Sequence, residues 1–385
     1  MGECPNFAND AIIVCDAGGG TVDLIAYEIL RVSPFEVKAL TKPSGSIAGS
    51  TMINKLLEEE IKRAVGEEAF VRLHKTEAYR TALHEFEVAI KVSFTGKNDR
   101  DKFISFPMAN LKDNPQRGIV KNSMKLSGET VCRLFDPIVH EVDRLVTEQV
   151  NNVQLERLQN NPSNPSGVKA IFLVGGFGAS TYLYEVIKKS NPTIEVRRTR
   201  EAWSSIIRGA VMSKLPMGAA PAVVSTKASK HYGTCYHSPY NPRRDKGCPT
   251  HTSIWDEIIK CKVMSWFIRM DEELQRGKKT NQRFCRRFAG HDPSSSDLII
   301  TDRLYESTAT HAPIHPSNEV KPNCELITDL NHVPKELFLR KNRRSDGMAY
   351  SELWYNLQIE STQAGLLKYS LEIEGKEYSA VEAKY

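Results

Sequence analysis

The feature that most restricts this chain is a run of three glycines held between an apolar strand and an acidic one. Ile12-Ile13-Val14-Cys15 leads into Asp16, then Ala17 and Gly18-Gly19-Gly20, then Thr21-Val22-Asp23-Leu24 and on to Tyr27. This pattern predicts a β-hairpin whose turn is almost all backbone. Without Cβ atoms, the N–H groups of such a turn approach an anion closely. Asp16, ending a buried strand, is placed to hold a hydrated magnesium ion, which keeps several waters and takes one or two carboxylates. Thr21 adds a hydroxyl, and Asp23 a second carboxylate two residues along the same strand face. A lone glycine triplet is as often a ligand-free turn; Asp16 and Thr21-x-Asp23 tip the balance toward a phosphate site.

Phe35 to Leu40 reads as a third strand, and Gly45 to Thr51 as a small-residue loop opening onto a helix. Ser50 or Thr51 caps that helix, whose apolar members Ile53, Leu56, Leu57 and Ile61 recur at helical spacing. Its N-terminus is a second element able to face an anion. Residues 76 to 92 repeat the helical pattern, with Glu87 and Lys91 four apart and able to pair. Val92 to Thr95 and Phe103 to Phe106 read as strands. A long amphipathic helix, capped by Ser127 or alternatively Thr130, then runs through Val131, Phe135, Ile138 and Val146, and Asn160 to Gly167 is a loop. Val168 to Val174 then reads as a buried strand ending in Gly175-Gly176 and turning through Phe177 into a helix with Leu183, Val186 and Ile187. A strand at Ile194 to Arg197 and a helix from Glu201 to Val211 follow.

Asp16-Ala17-Gly18-Gly19-Gly20-Thr21-Val22-Asp23 resembles the second phosphate loop of the actin-like ATPases. It looks most like that of the seventy-kilodalton heat-shock chaperones, Asp-Leu-Gly-Gly-Gly-Thr-Phe-Asp. Gly175-Gly176 resembles the diglycine whose backbone that family packs against adenine and ribose. With Val174 and Phe177 it takes the form found in the divergent branch related to heat shock protein family A member twelve, to which the resemblance is closest. The resemblance implies that residues 1–215 are the second lobe of an α/β actin-like ATPase, a mixed sheet with flanking helices, whose two glycine turns open onto one cleft. It implies ATP or ADP with magnesium as cofactors. The nucleotide-binding residues so implied are Asp16, Gly18, Gly19, Gly20, Thr21, Asp23, Gly49, Ser50, Glu87, Lys91, Gly175, Gly176 and Phe177, with Asp16 on magnesium through water. Glu87 would bond ribose or base, the Lys91 stem lie against the ring, and Phe177 offer an apolar wall where the family carries an arginine. The family's acidic pair after its glycines is replaced here by Ser50-Thr51.

Pro216 to Ser229 reads as a linker. From 230 to 385 the runs Tyr232 to His237, Cys261 to Arg269, Thr280 to Phe288, Leu298 to Tyr305, Leu353 to Ile359 and Leu367 to Ile373 are short and often alternate, a β-sandwich-like pattern. Their order resembles the chaperone peptide-binding β domain, which implies unfolded or extended, apolar peptide segments as partners. The family's helical lid is not found before Tyr385. The resemblance begins with the second lobe, so the chain is expected to be truncated, either a shortened gene product or a fragment, with the first phosphate loop upstream on a longer parent chain or on a separate first-lobe polypeptide. Hydrolysis by this chain alone is then expected to be weak or absent. The implied function is that of a chaperone-like ATP-binding protein; the alternative is a non-enzymatic interaction module that keeps the fold.

A net charge of +5 over 385 residues is a weak bias. The basic pairs Arg243-Arg244, Lys278-Lys279 and Arg343-Arg344 lie among polar loop residues and read as solvated, not as a nucleic-acid patch. No apolar run approaches the ~18 residues of a membrane helix. The eight cysteines lack CxxC spacing, which suits a reduced, cytoplasmic compartment. His231, Cys235, His237, Cys248 and His251 crowd into one stretch, but in no standard zinc spacing, so a loop with buried thiols outweighs a metal site.

Overall fold

The computed structural model of the chain describes residues 8–160, 167–198, 201–212, 222–362 and 366–383. They divide into two compact units, Met1–Val223 and Val224–Tyr385. The boundary falls within the expected linker, yet Ala222–Lys227 is a strand. Its Val223, Val224 and Thr226 are β-branched and favour extended pairing over a free linker. The Pro216–Pro221 part of that linker lies outside the described residues.

In the first unit the elements are β1 (Ala11–Ala17), β2 (Val22–Val32), β3 (Phe35–Ala39), β4 (Ser44–Ser46), α1 (Thr51–Val65), α2 (Glu67–Leu73), α3 (Glu77–Glu85), α4 (Lys91–Ser93), β5 (Lys102–Ser105), β6 (Ile119–Val120), β7 (Ser123–Leu126), α5 (Gly128–Asn160), β8 (Val168–Val174), α6 (Thr181–Ser190), β9 (Glu195–Arg198) and α7 (Ser205–Met212). The sheet runs β3-β2-β1-β8-β9, with β4 beside β2. It is mixed: β1 pairs antiparallel with β2 and parallel with β8. On β1 the residues Ala11, Ile13, Cys15 and Ala17 are buried, so Asp16 faces the other side. The buried residues of the sheet share one apolar cluster with α1, α3, α5 and α6. The Ser127 hydroxyl accepts from the Thr130 N–H at 3.2 Å, as its place before α5 predicts.

Residues 76–92 are helical but not one α-helix: between α3 and α4, Phe86–Ile90 winds as a π-helix. Nor is Val92 to Thr95 a strand. Phe94 donates its N–H to the Ile90 carbonyl at 3.0 Å and packs 5.2 Å from the Phe135 ring centre. Continuing the helix keeps Ile90 and Phe94 on one face toward the core, which an extended run would not.

In the second unit are β10 (Ala222–Lys227, which begins at the boundary), β11 (His231–Pro239), β12 (Thr250–Thr252), β13 (Ile259–Ile268), β14 (Glu273–Gln275), β15 (Lys279–Ala289), β16 (Ile299–Ser307), β17 (Lys321–Asp329), β18 (Leu339–Asn342), β19 (Ala349–Ser361), β20 (Leu367–Ile373) and β21 (Lys376–Ala383). One antiparallel sheet runs β12-β13-β11-β16-β17. Another runs β15-β19-β20-β21, with β18 also on β19. Tyr232, Leu304 and Leu326 from the first join Phe288, Leu353, Leu357 and Leu371 from the second in one apolar cluster. No helix among the described residues is long and apolar enough to cross a membrane.

Candidate functional site

The β1–β2 hairpin closes through the Gly18 N–H, which donates to the Thr21 carbonyl at 2.9 Å. Gly19 and Gly20 at its tip are exposed. Two further glycines meet this hairpin from distant parts of the chain. Gly175 has a φ of +80°, and a Cβ there would lie 2.5 Å from the Ala17 carbonyl oxygen and against Asp16 Oδ1. Gly49 lies beneath the turn, where a Cβ would fall 2.1 Å from the Gly19 carbonyl oxygen. In both places only a residue without a side chain allows the backbones to approach.

The start of α1 is spent on this contact. The N–H groups of Gly49, Ser50 and Thr51 donate to the carbonyls of Gly20, Gly18 and Gly19 at 3.2, 3.1 and 2.9 Å. The expected side-chain cap is absent, and the Thr51 hydroxyl donates to the Gly19 carbonyl at 2.7 Å. That helix N-terminus therefore does not face an anion, because the turn carbonyls already fill it. Gly49 is buried, and its role here is close packing under the turn rather than contact with a ligand.

Glu87 and Lys91 do not pair with each other. The Asn54 amide donates to Glu87 Oε1 at 2.7 Å, and Lys91 Nζ donates to Asn54 Oδ1 at 2.9 Å and to the Ser50 carbonyl at 3.0 Å. Lys91 is buried, and burial holds its pKa below the ordinary value against the pull of Glu87. Its stem lies under the start of α1 and is not free to cover a ring. One residue further on, the Val92 carbonyl accepts from the Thr181 hydroxyl at 3.2 Å, which carries the contacts to the helix after Gly175-Gly176. The hairpin, the α1 start, the helical segment 86–93 and the Gly175 turn are thus linked in one connected series of contacts. Asn54, its central polar link, is missed by sequence reasoning. A polar residue next to Ile53 on a helix signals only a solvent face.

Phe177 is only 3% exposed and lies 6.4 Å from the Phe135 ring centre, so it belongs to the core and offers no wall to a ligand. A phenylalanine entering a helix beside an apolar strand gains more from burial than from lining an open rim. Gly176, by contrast, is exposed, with open space where a Cβ would be.

Asp16 and Asp23 stand opposite each other as register partners across the hairpin. The Thr21 hydroxyl donates to Asp23 Oδ2 at 2.9 Å. Burial, and then the charge of Asp23, raise the Asp16 carboxyl above its usual range. Burial also pushes the Cys15 thiol behind it up to about 12, so this cysteine is inert packing. Two opposed carboxylates and a hydroxyl at a glycine turn form a donor set that suits a hydrated hard cation.

The histidine and cysteine stretch does not assemble a metal centre: among the described residues no group of three or more His, Cys, Asp or Glu side chains can hold one. His231 is buried, its Nδ1 accepting from the Met270 N–H at 2.9 Å and its Nε2 2.9 Å from the Ala309 carbonyl. The rings of His237 and His251 meet edge to face at 4.5 Å. The described cysteines are all free thiols.

The second unit holds an open cleft of about 840 Å³, lined from β15 by Gln282 to Arg287 and from β11 by Thr234 to His237. Within it Arg286 and the Tyr355 hydroxyl donate to Asp302 Oδ1 at 2.8 and 3.1 Å, and Asp302 is nearly buried. Sequence reasoning foresaw the strands but not this cleft, since nothing local marks where two strands part.

No family profile matches the chain. Against curated proteins it is 24% identical over 301 residues to human heat shock 70 kDa protein 12B, covering 72% of this chain and 41% of that protein. Human heat shock 70 kDa protein 12A is 23% identical over 345 residues, covering 83% of this chain and 47% of the relative, and the mouse protein matches over the same length. The chain spans less than half the length of these curated relatives. Its homologues are thus the heat shock 70 kDa proteins 12A and 12B, a divergent branch of the seventy-kilodalton heat-shock, actin-like family.

Proposed function

We propose that the first unit binds ATP or ADP with magnesium, in the manner of a heat-shock chaperone ATPase lobe. The observation that carries this reading is the close approach of Gly175 to Asp16 and Ala17, at the foot of the Gly18–Gly20 turn, where a side chain on residue 175 is excluded. The exposed Gly19 and Gly20 N–H groups have no partner among the described residues and would take phosphate oxygens. Asp16 would hold the ion through water, with Asp23 and Thr21 behind it; the magnesium would offset the repulsion between the two carboxylates. Ser50 contributes through its backbone, and Glu87 is left as the exposed rim residue facing ribose or base.

The reading is one of binding rather than turnover. Hydrolysis needs water, magnesium and phosphates positioned together, a larger constellation than Asp16 against the Gly175 turn supplies. Calorimetric titration of the folded chain with magnesium and ADP or ATP should show weak binding that Asp16→Asn abolishes. No heat at millimolar nucleotide, or heat unchanged by Asp16→Asn, would refute it. Phosphate release that depends on Asp16 would overturn the part that denies turnover.

A second reading is favoured by the cleft between β11 and β15: the second unit, as a β-sandwich-like domain, holds extended peptide segments. Together the two readings describe a chaperone-like protein. A labelled extended peptide that fails to bind the folded chain at millimolar concentration would leave the second unit as a brace.

A further inference from the structure

The cleft of the second unit lies along two open strand edges. β15 is the last strand of its sheet, so one side of its backbone pairs with β19 and the other with no strand among the described residues. β11 keeps β13 beside it as far as Pro239, but its pairing with β16 ends at Thr234. From Cys235 onward β11 therefore has an open side too. Successive side chains of a strand point to opposite faces. A cleft on one face would be lined by every second residue, yet this one is lined by consecutive residues of both strands. That places it along the edges, where main-chain N–H and C=O groups are presented.

The charge of the lining is unbalanced. Lys260, Arg283, Arg286 and Arg287 line the cleft, against Asp302 alone among acidic residues. Three of these cations are already engaged: Arg286 with Asp302 at 2.8 Å, Arg287 with Glu352 at 2.8 Å and Asp256 at 2.9 Å, and Lys260 with Asp256 at 2.8 Å. Arg283 has no carboxylate partner among the described residues. Its guanidinium instead lies 4.9 Å from the ring centre of Trp354, an indole 40% exposed. His237 feels the same surround: burial and then His251, Lys262 and Lys260 hold its pKa down.

We propose that this cleft selects extended segments carrying carboxylates beside aromatic side chains, rather than purely apolar ones. The segment's main chain pairs with the open edge of β15 or β11, and one carboxylate docks on Arg283. The proposal rests on the peptide-binding reading above and narrows its substrate class. The planar guanidinium accepts a carboxylate in a two-bond fork. Its stacking on Trp354 holds that fork in place and offers a flat apolar surface next to it. Tyr236 and Phe284, 6.0 Å apart across the cleft, supply further aromatic surface.

The test uses the full chain and three fluorescein-labelled nonamers that alternate Phe and Ser with Glu, Gln or Lys. Anisotropy titration should show the Glu peptide binding about tenfold tighter than the Gln peptide, with the Lys peptide weakest. Raising salt should narrow that gap, since the excess charge is partly exposed. Arg283→Glu should remove the preference. Arg283 has no carboxylate partner among the described residues, so this variant should lose only the stacking on Trp354 and still unfold cooperatively as a folded protein. Arg283→Lys, which keeps charge but loses the fork, should retain part of the preference. Equal binding of all three peptides, or a preference untouched by Arg283→Glu, overturns the acidic selectivity and leaves the peptide site standing. Binding of none of them overturns both.

Discussion

Gly49→Ala probes the first unit most directly, because the substitution adds one methyl group and nothing else. That methyl would fall 2.1 Å from the Gly19 carbonyl oxygen and 2.4 Å from the Gly20 carbonyl carbon. Ordinary contact needs about 3.5 Å, so the turn must lift by roughly 1 Å or more. Four bonds hold the turn down: those from the N–H groups of Gly49, Ser50 and Thr51, at 3.2, 3.1 and 2.9 Å, and that from the Thr51 hydroxyl at 2.7 Å. A lift of this size takes most of them past hydrogen-bonding range. Each contributes about 0.5–1.5 kcal/mol net, and the exposed turn can rehydrate its carbonyls, so the loss should be about 2–3 kcal/mol. Urea unfolding of the full chain measures the loss, and hydrogen exchange at the amides of residues 49–51 locates it. Gly20→Ala is the control, since no heavy atom lies within 4 Å of its added Cβ, and it should leave stability within about 0.5 kcal/mol. Protected amides at 49–51 and an unchanged midpoint in Gly49→Ala would refute the account of how this turn is held.

Two further outcomes follow from charged groups. The folded-state pKa of Asp16 is raised, so the native state binds more protons than the unfolded one across the carboxylate range, and stability without magnesium should fall as pH rises through it. Asp16→Asn should flatten that slope and raise neutral-pH stability by about 0.2–1 kcal/mol, the range for a cross-strand like-charge pair; a slope unchanged in the variant would count against it. In the second unit, Asp302→Ala leaves Arg286 and the Tyr355 hydroxyl without their shared acceptor and should cost about 3 kcal/mol, read from tryptophan fluorescence in urea. A loss under about 1 kcal/mol would show that solvent satisfies the pair.

What the sequence by itself determined was whatever is written in neighbouring residues. The alternation from Ile12 to Ala17 and from Val22 onward fixes two strands and the face each buries, because side chains alternate along a strand. The three glycines between them could only be a turn. The same local logic placed the start of the long helix at Ser127 and the strand before Gly175. In the second unit the alternating runs located most of the long strands, and β20 coincides with the stretch Leu367 to Ile373. What only the tertiary structure decided is what each site residue touches. Lys91 bonds a carbonyl 41 residues away, and Gly49 is a glycine because Gly19 crosses it. Phe177 looks like a rim residue until Phe135, on a different helix, takes it into the core. The cleft of the second unit exists because β16 leaves β11 after Thr234 while β15 ends its own sheet. Each of these is a contact between segments far apart in the chain. A local pattern specifies the conformation of its own backbone, but which other backbone arrives beside it is settled only when the whole core packs.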